Sequence, residues 1–190
     1  MFTFLGSIVF KWEEWLIWLL TLAPIVLYTV IYCIIYMLMR QKIAKLFSVK
    51  QYSKVLELSK TMSEWYYGGK DNSMYHMLAS SAYFHLGDDH NFLNECNHVT
   101  DPKYQADKNF YLAVYNIING NLVAAEQQAN LLKDSRVYGN HSAQISQLQL
   151  LLDIANCDDD NLKGDLIKKA LQQFKSDRII NYLNSCIVVE

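Results

Sequence analysis

From Trp15 to Met39 the chain runs for 25 residues without a charged side chain, WLIWLLTLAPIVLYTVIYCIIYMLM. Wound as an α-helix at about 1.5 Å per residue, such a segment exceeds the ~30 Å hydrocarbon core of a bilayer. An uncharged run of this length suits a membrane better than the interior of a small soluble domain. It also exceeds the apolar core of a cleaved secretory signal. Lys11 is the sole basic residue ahead of it, and no small-x-small cleavage motif follows. The expectation is a transmembrane helix over 15–39, preceded by a short extracytoplasmic or interfacial segment, 1–14.

The flanks set an orientation. Arg40, Lys42, Lys45, Lys50 and Lys54 follow the run, whereas Lys11 precedes it beside Glu13 and Glu14. Basic residues are retained on the cytoplasmic side, which places the N-terminus outside and everything after residue 39 in the cytoplasm. Residues 40–49 then form a basic juxtamembrane helix, and Trp12, Trp15 and Trp18 mark the outer interface. Within the run, Pro24 removes one backbone donor, a loss that membrane helices tolerate. Tyr28, Tyr32 and Tyr36 recur every four residues and so share one side of a helix. Two readings stay open for them, aromatic bulk in lipid or a contact face for another membrane helix.

The remainder of the chain is ordinary in composition. Formal net charge over all 190 residues is −2, so no strong field attracts nucleic acid or an acidic substrate. Two prolines and seven glycines favour long helices with few sharp turns. Cys33, Cys96, Cys157 and Cys186 are widely spaced and contain no Cys-x-x-Cys pair, which signals neither a disulfide framework nor a zinc site and fits a reducing compartment.

Past residue 50 one pattern recurs, a break followed by an amphipathic helix. Breaks at 50, 87, 120 and 156 precede helical patterns carrying Val55 and Met62, Phe92 and Cys96, Ala125 and Ala129, and Ile167 and Ala170. Further helical runs over roughly 73–86, 104–119 and 140–155 have the length to pair with them. Asp101-Pro102 opens the second of these, and Asp158 to Asp160 cap the helix after residue 156.

Two helices per unit at this spacing resemble the tetratricopeptide repeat family. The match is best over FYLAVYNIINGNLVAAEQQANLL, with Leu112 and Ala113 in a first helix, Gly120 in the turn, and Leu122, Ala125 and Ala129 in a second. Ala79, Ser80 and Tyr83 match around Gly87, where Phe92 stands in place of the family's alanine. Gln149 stands where the last unit should have a small residue. The resemblance implies an all-α architecture, a transmembrane helix followed by an α-α hairpin solenoid over 50–175. Residues 176–190 supply a capping helix for its open end.

In the family the first helix of each pair lines a concave binding face. That register assigns Met77, Ser81, Phe84, Phe110, Val114 and Ile117 to a partner-binding surface. The same residues are core if the final helix twists onto that face, and both readings stand at this point. The family's clamp for acidic tails needs Lys, Arg and Asn where Met77, Ser81, Phe110 and Val114 occur.

No catalytic constellation is apparent. The cluster of His85, Asp88, Asp89 and His90, with Cys96 and His98 beyond, has no established ligand spacing and reads as a solvated turn that caps a helix. Gly68-Gly69-Lys70 lacks the glycine spacing, the Ser/Thr and the preceding strand of a phosphate loop. The sequence thus predicts a non-enzymatic adaptor without cofactor, metal, nucleic acid or small-molecule substrate, bound to the bilayer and to a protein partner. The alternative is an accessory or regulatory subunit of an integral membrane complex in translocation, transport or immunity, joined to it through the transmembrane helix.

Overall fold

The computed structural model describes the backbone of residues 2–65, 72–134 and 141–187, and the side chains of 16–64, 72–134 and 141–187. The described residues are helical throughout, with nine α-helices, one short 3-10 turn and no strand. Contacts divide the chain into two units, Met1–Val49 and Lys50–Glu190.

The first unit is a single helix, α1, Phe2–Ser48, which passes through Pro24 without interruption. Its Leu16–Ser48 portion is long and apolar enough to cross a membrane, and none of its most apolar window is buried. At about 1.5 Å per residue those 33 residues span about 50 Å, well beyond the ~30 Å apolar slab. Its two threonine hydroxyls need no external partner, because Thr21 donates to the carbonyl of Ile17 (2.9 Å) and Thr29 to that of Ile25 (2.8 Å). Such back-bonding removes the cost of placing a hydroxyl in hydrocarbon. Trp18 is exposed on the helix, while the side chains of Trp12 and Trp15 lie outside the described residues.

The second unit opens at Lys50, whose φ of 57° is left-handed. It is followed by α2 (Tyr52–Trp65), α3 (Ser73–Leu86), α4 (Asp89–Asn97), a 3-10 turn (Pro102–Tyr104), α5 (Gln105–Ile118), α6 (Leu122–Asp134), α7 (Ser142–Ala155), α8 (Asp160–Gln173) and α9 (Asp177–Ser185). The α3–α4 and α5–α6 turns share one construction. Gly87 and Gly120 take φ of 77° and 73°, where a side chain would be strained. Their amides donate to Phe84 and Ile117, and the next amides, of Asp88 and Asn121, reach back to Tyr83 and Asn116. Side chains cap α4 and α8: Asp88 accepts from the Asn91 amide (3.2 Å), and Asp159 from those of Asn161 and Leu162 (2.9 and 3.1 Å).

The most extensive packing is between α5 and α6, followed by α3 with α4 and α2 with α3. Ala113 and Ala125, both fully buried, have side chains small enough for α5 and α6 to approach closely. The first helices of successive pairs also touch, α3 with α5 and α5 with α7, and α9 packs on both α8 and α3. A contiguous apolar core results, in which Phe84, Phe92, Ile117, Leu151, Ile167 and Leu183 are sealed from solvent.

Candidate functional site

The face assigned by sequence to partner binding lies inside the protein. Met77, Ser81 and Phe84 on α3, with Phe110, Val114 and Ile117 on α5, are all buried; Phe84 and Val114 are 0% exposed and Phe110, the most accessible, 9%. Phe84, Phe110, Val114 and Ile117 share one cluster with Phe174, Ile179 and Leu183 from the last 20 residues. Ser81 donates its hydroxyl to that of Tyr111 at 2.7 Å, so even the polar member of the set is satisfied internally. The expected exposed lining is therefore corrected to core. The first helices pack on each other and on their neighbours, α3 with α2, α4 and α5 and α5 with α6 and α7, while α9 adds Ile179 and Leu183 to the same cluster and touches α3.

A polar seat holds the start of α9. The guanidinium of Arg178 lies 4.7 Å from the ring centroid of Phe84 and 5.7 Å from that of Tyr115. Its Nη1 donates to the carbonyl of Phe84 at 3.0 Å, and its Nη2 meets Asp89 Oδ1 at 2.6 Å. That carboxylate oxygen is shielded from water, and the guanidinium is its partner. Arg178 itself has a side chain only 14% exposed. Beside it Asp177 pairs with Lys50 at the surface. A cation thus sits between two aromatic faces, one carboxylate and one backbone carbonyl, contributed by α3, α4 and α5.

His85 closes this corner. Its ring stacks on Tyr52 at 4.7 Å, and its Nδ1 lies 3.0 Å from the Ser176 hydroxyl. Burial pushes the imidazole pKa down to about 4; Arg178 and Lys50 push the same way, while Asp177 opposes them. The ring is neutral at physiological pH.

A separate open cleft of about 420 Å³ lies among α2, α3 and α4, lined by Leu56, Ser59, Tyr75, His76, Tyr83 and Glu95, among others. Within it His76 Nδ1 and Glu95 Oε2 are 2.7 Å apart, and the His76 ring stacks on that of His98 at 5.0 Å. The cleft has the size of a small ligand pocket. The Glu95 carboxylate already engages the imidazole. Burial raises the Cys96 thiol to about 11, leaving it a neutral packing group.

On α1, Tyr28 is 71% and Tyr32 41% exposed, while Tyr36 is half-buried with the Arg40 guanidinium 5.7 Å from its ring. One continuous helix carries all three at four-residue spacing, which puts them on one side. The turn cluster anticipated from sequence is dispersed in use. Asp88 caps α4, with the Asn91 contacts lowering its pKa; Asp89 holds Arg178, and His85 faces Ser176. Among the described residues no group of three or more His, Cys, Asp or Glu side chains is placed to hold a metal ion. Gly68-Gly69-Lys70 lies outside the described residues.

Sequence reasoning missed Arg178 and the His76–Glu95 pair. Their partners are 89 and 19 positions away, and no local pattern announces them. No protein-family model, curated protein or solved structure matches this chain.

Proposed function

We propose that the chain is a single-pass, membrane-anchored adaptor whose helical unit, built from tetratricopeptide-like helix pairs, holds a protein partner at the cytoplasmic face. The observation that carries this reading is the division of labour between the two units. The most apolar window of one unit's helix has none of its residues buried, while the other unit has an apolar core of its own. A helix that finds no apolar cover inside its own protein is accounted for by lipid.

The pairing of α3 with α4, α5 with α6 and α7 with α8, together with contact between α3, α5 and α7, supports the repeat assignment. So do the two equivalent left-handed glycine turns. The cations at Arg40, Lys42 and Lys45, with no acidic residue between Glu14 and Glu57, support the cytoplasmic placement. A scaffold needs none of the activated groups that catalysis would require.

The test is done in intact cells, with all four native cysteines replaced by alanine and single cysteines introduced at Thr3 or Asp158. An impermeant maleimide should label the first before lysis and the second after lysis alone. Labelling at Asp158 in unbroken cells reverses the topology. Exchanging residues 15–39 for an unrelated apolar helix should leave partner recovery by crosslinking intact. Its loss would favour the exposed tyrosine side of α1 as the essential contact.

A further inference from the structure

The cations that follow the apolar run are rigidly placed, because α1 does not stop where the run stops. It continues past Met39 to Ser48 as helix, so Arg40, Lys42 and Lys45 fall within about 7.5 Å along its axis. That interval is close to the ~5–7 Å depth of one headgroup layer. All three side chains are exposed, and among the described residues no carboxylate pairs with any of them. Lys50, the next cation, is by contrast engaged by Asp177.

Simpler causes account for part of this pattern. The helix dipole favours Lys45 in the last turn of α1, but its effect fades within a turn and leaves Arg40 and Lys42 unexplained. Retention of basic residues on one side of a membrane needs them only within about 15–20 residues of the span. Here three stand in the six positions 40–45, and the chain has no acidic residue between Glu14 and Glu57 to offset them. Arg40 lies over the Tyr36 ring, 5.7 Å from its centroid. A guanidinium held over a ring keeps its N–H donors in its own plane, where phosphate oxygens can meet them in pairs. Tyrosine rings collect at the level of the headgroups, and lysine stems run along apolar surface to bring their ammonium groups there.

We propose that Arg40, Lys42 and Lys45 form a collar that gathers anionic phospholipid around this end of α1. The inference rests on the adaptor reading above, in which α1 crosses a bilayer, and names the lipid that the helix selects. Charge complementarity and level define the ligand: a net-negative headgroup whose acyl chains hold its phosphate where the apolar run gives way to cations. A soluble phosphate has nothing to keep it at that level. The match is one of charge and not of headgroup shape, so phosphatidylglycerol and phosphatidylserine serve alike.

The test places the full chain in phosphatidylcholine nanodiscs doped with spin-labelled phosphatidylglycerol or spin-labelled phosphatidylcholine. Electron spin resonance then reads how much of each label is immobilised against the protein. At low salt the parent should favour phosphatidylglycerol at least about fivefold, the factor that one cation gains at an anionic surface. The R40Q/K42Q/K45Q chain should show no preference, and R40K/K42R/K45R should keep it. Sodium chloride at about 1 M, where the screening length falls to about 3 Å, should erase the preference of the parent. An inserted parent that immobilises both lipids alike overturns the proposal and leaves the cations to an acidic protein segment. A preference that survives in the glutamine variant overturns it as well. If that variant loses helicity or does not insert, the salt series on the parent decides, and a preference unchanged at high salt overturns the proposal. A parent that does not enter nanodiscs overturns the membrane reading, and this inference with it.

Discussion

Phe84→Ala is expected to destabilise the helical unit by about 3–5 kcal/mol, the cost of emptying a fully buried phenylalanine site. The ring is 0% exposed and meets Phe92 and Tyr111 edge-on at centroid separations of 5.5 and 5.2 Å. It also forms one wall of the Arg178 seat. Alanine would leave a void among side chains from α3, α4 and α5 that cannot all close around it. For a chain of this size the loss corresponds to a melting temperature about 10 °C lower. Leu93→Ser on the outer side of α4, where the side chain is 37% exposed, should change stability by about 0.5 kcal/mol or less. Thermal unfolding followed by circular dichroism compares the two directly. A Phe84→Ala chain that melts with the parent would return this face to the surface.

Acidification should be the second large effect. The folded-state pKa of His85 is lowered to about 4, below its ordinary value of 6.5, so the unfolded chain takes up a proton that the folded chain refuses. Stability from this group is fully present above pH 6.5 and is lost progressively as pH falls toward 4. Linkage puts the loss at about 2 kcal/mol by pH 5. Asp177 favours the protonated ring, while Arg178 and Lys50 oppose it, and burial decides the outcome. Protonation also sets a cation beside Arg178, so the start of α9 should loosen first. The parent and His85→Gln should therefore differ in denaturation midpoint between pH 7 and pH 5, with the variant losing less. Parallel losses in the two chains would show that His85 titrates normally in the fold.

The helices were legible because their signals are local. Gly87 and Gly120 end α3 and α5 in the left-handed region that glycine alone enters freely, and Asp88 and Asp159 cap α4 and α8. The chain also turns at Lys50, yet nothing about a lysine foretells a positive φ. The choice of face was legible too: Met77, Ser81, Phe84, Phe110, Val114 and Ile117 share an inward side. What periodicity cannot say is whether an inward side meets water or another helix. That depends on tertiary packing between successive helices and on the return of α9 to α3, a long-range closure whose polar contacts join residues 89 and 94 positions apart. Arg178, a lone arginine in its stretch of sequence, reads as a solvated charge until Phe84, Asp89 and Tyr115 are in place around it.

The continuity of α1 has a consequence for signalling along its axis. An unbroken helix fixes the azimuth of every residue relative to every other, so the direction of Tyr28 and Tyr32 determines that of Lys42 and Lys45 several turns later. If α1 crosses a bilayer as proposed, any neighbour that selects one side of the helix there also selects which cations meet the headgroups and which are left for protein. Position around the axis, not depth alone, then becomes a quantity that the apolar end of the helix can transmit.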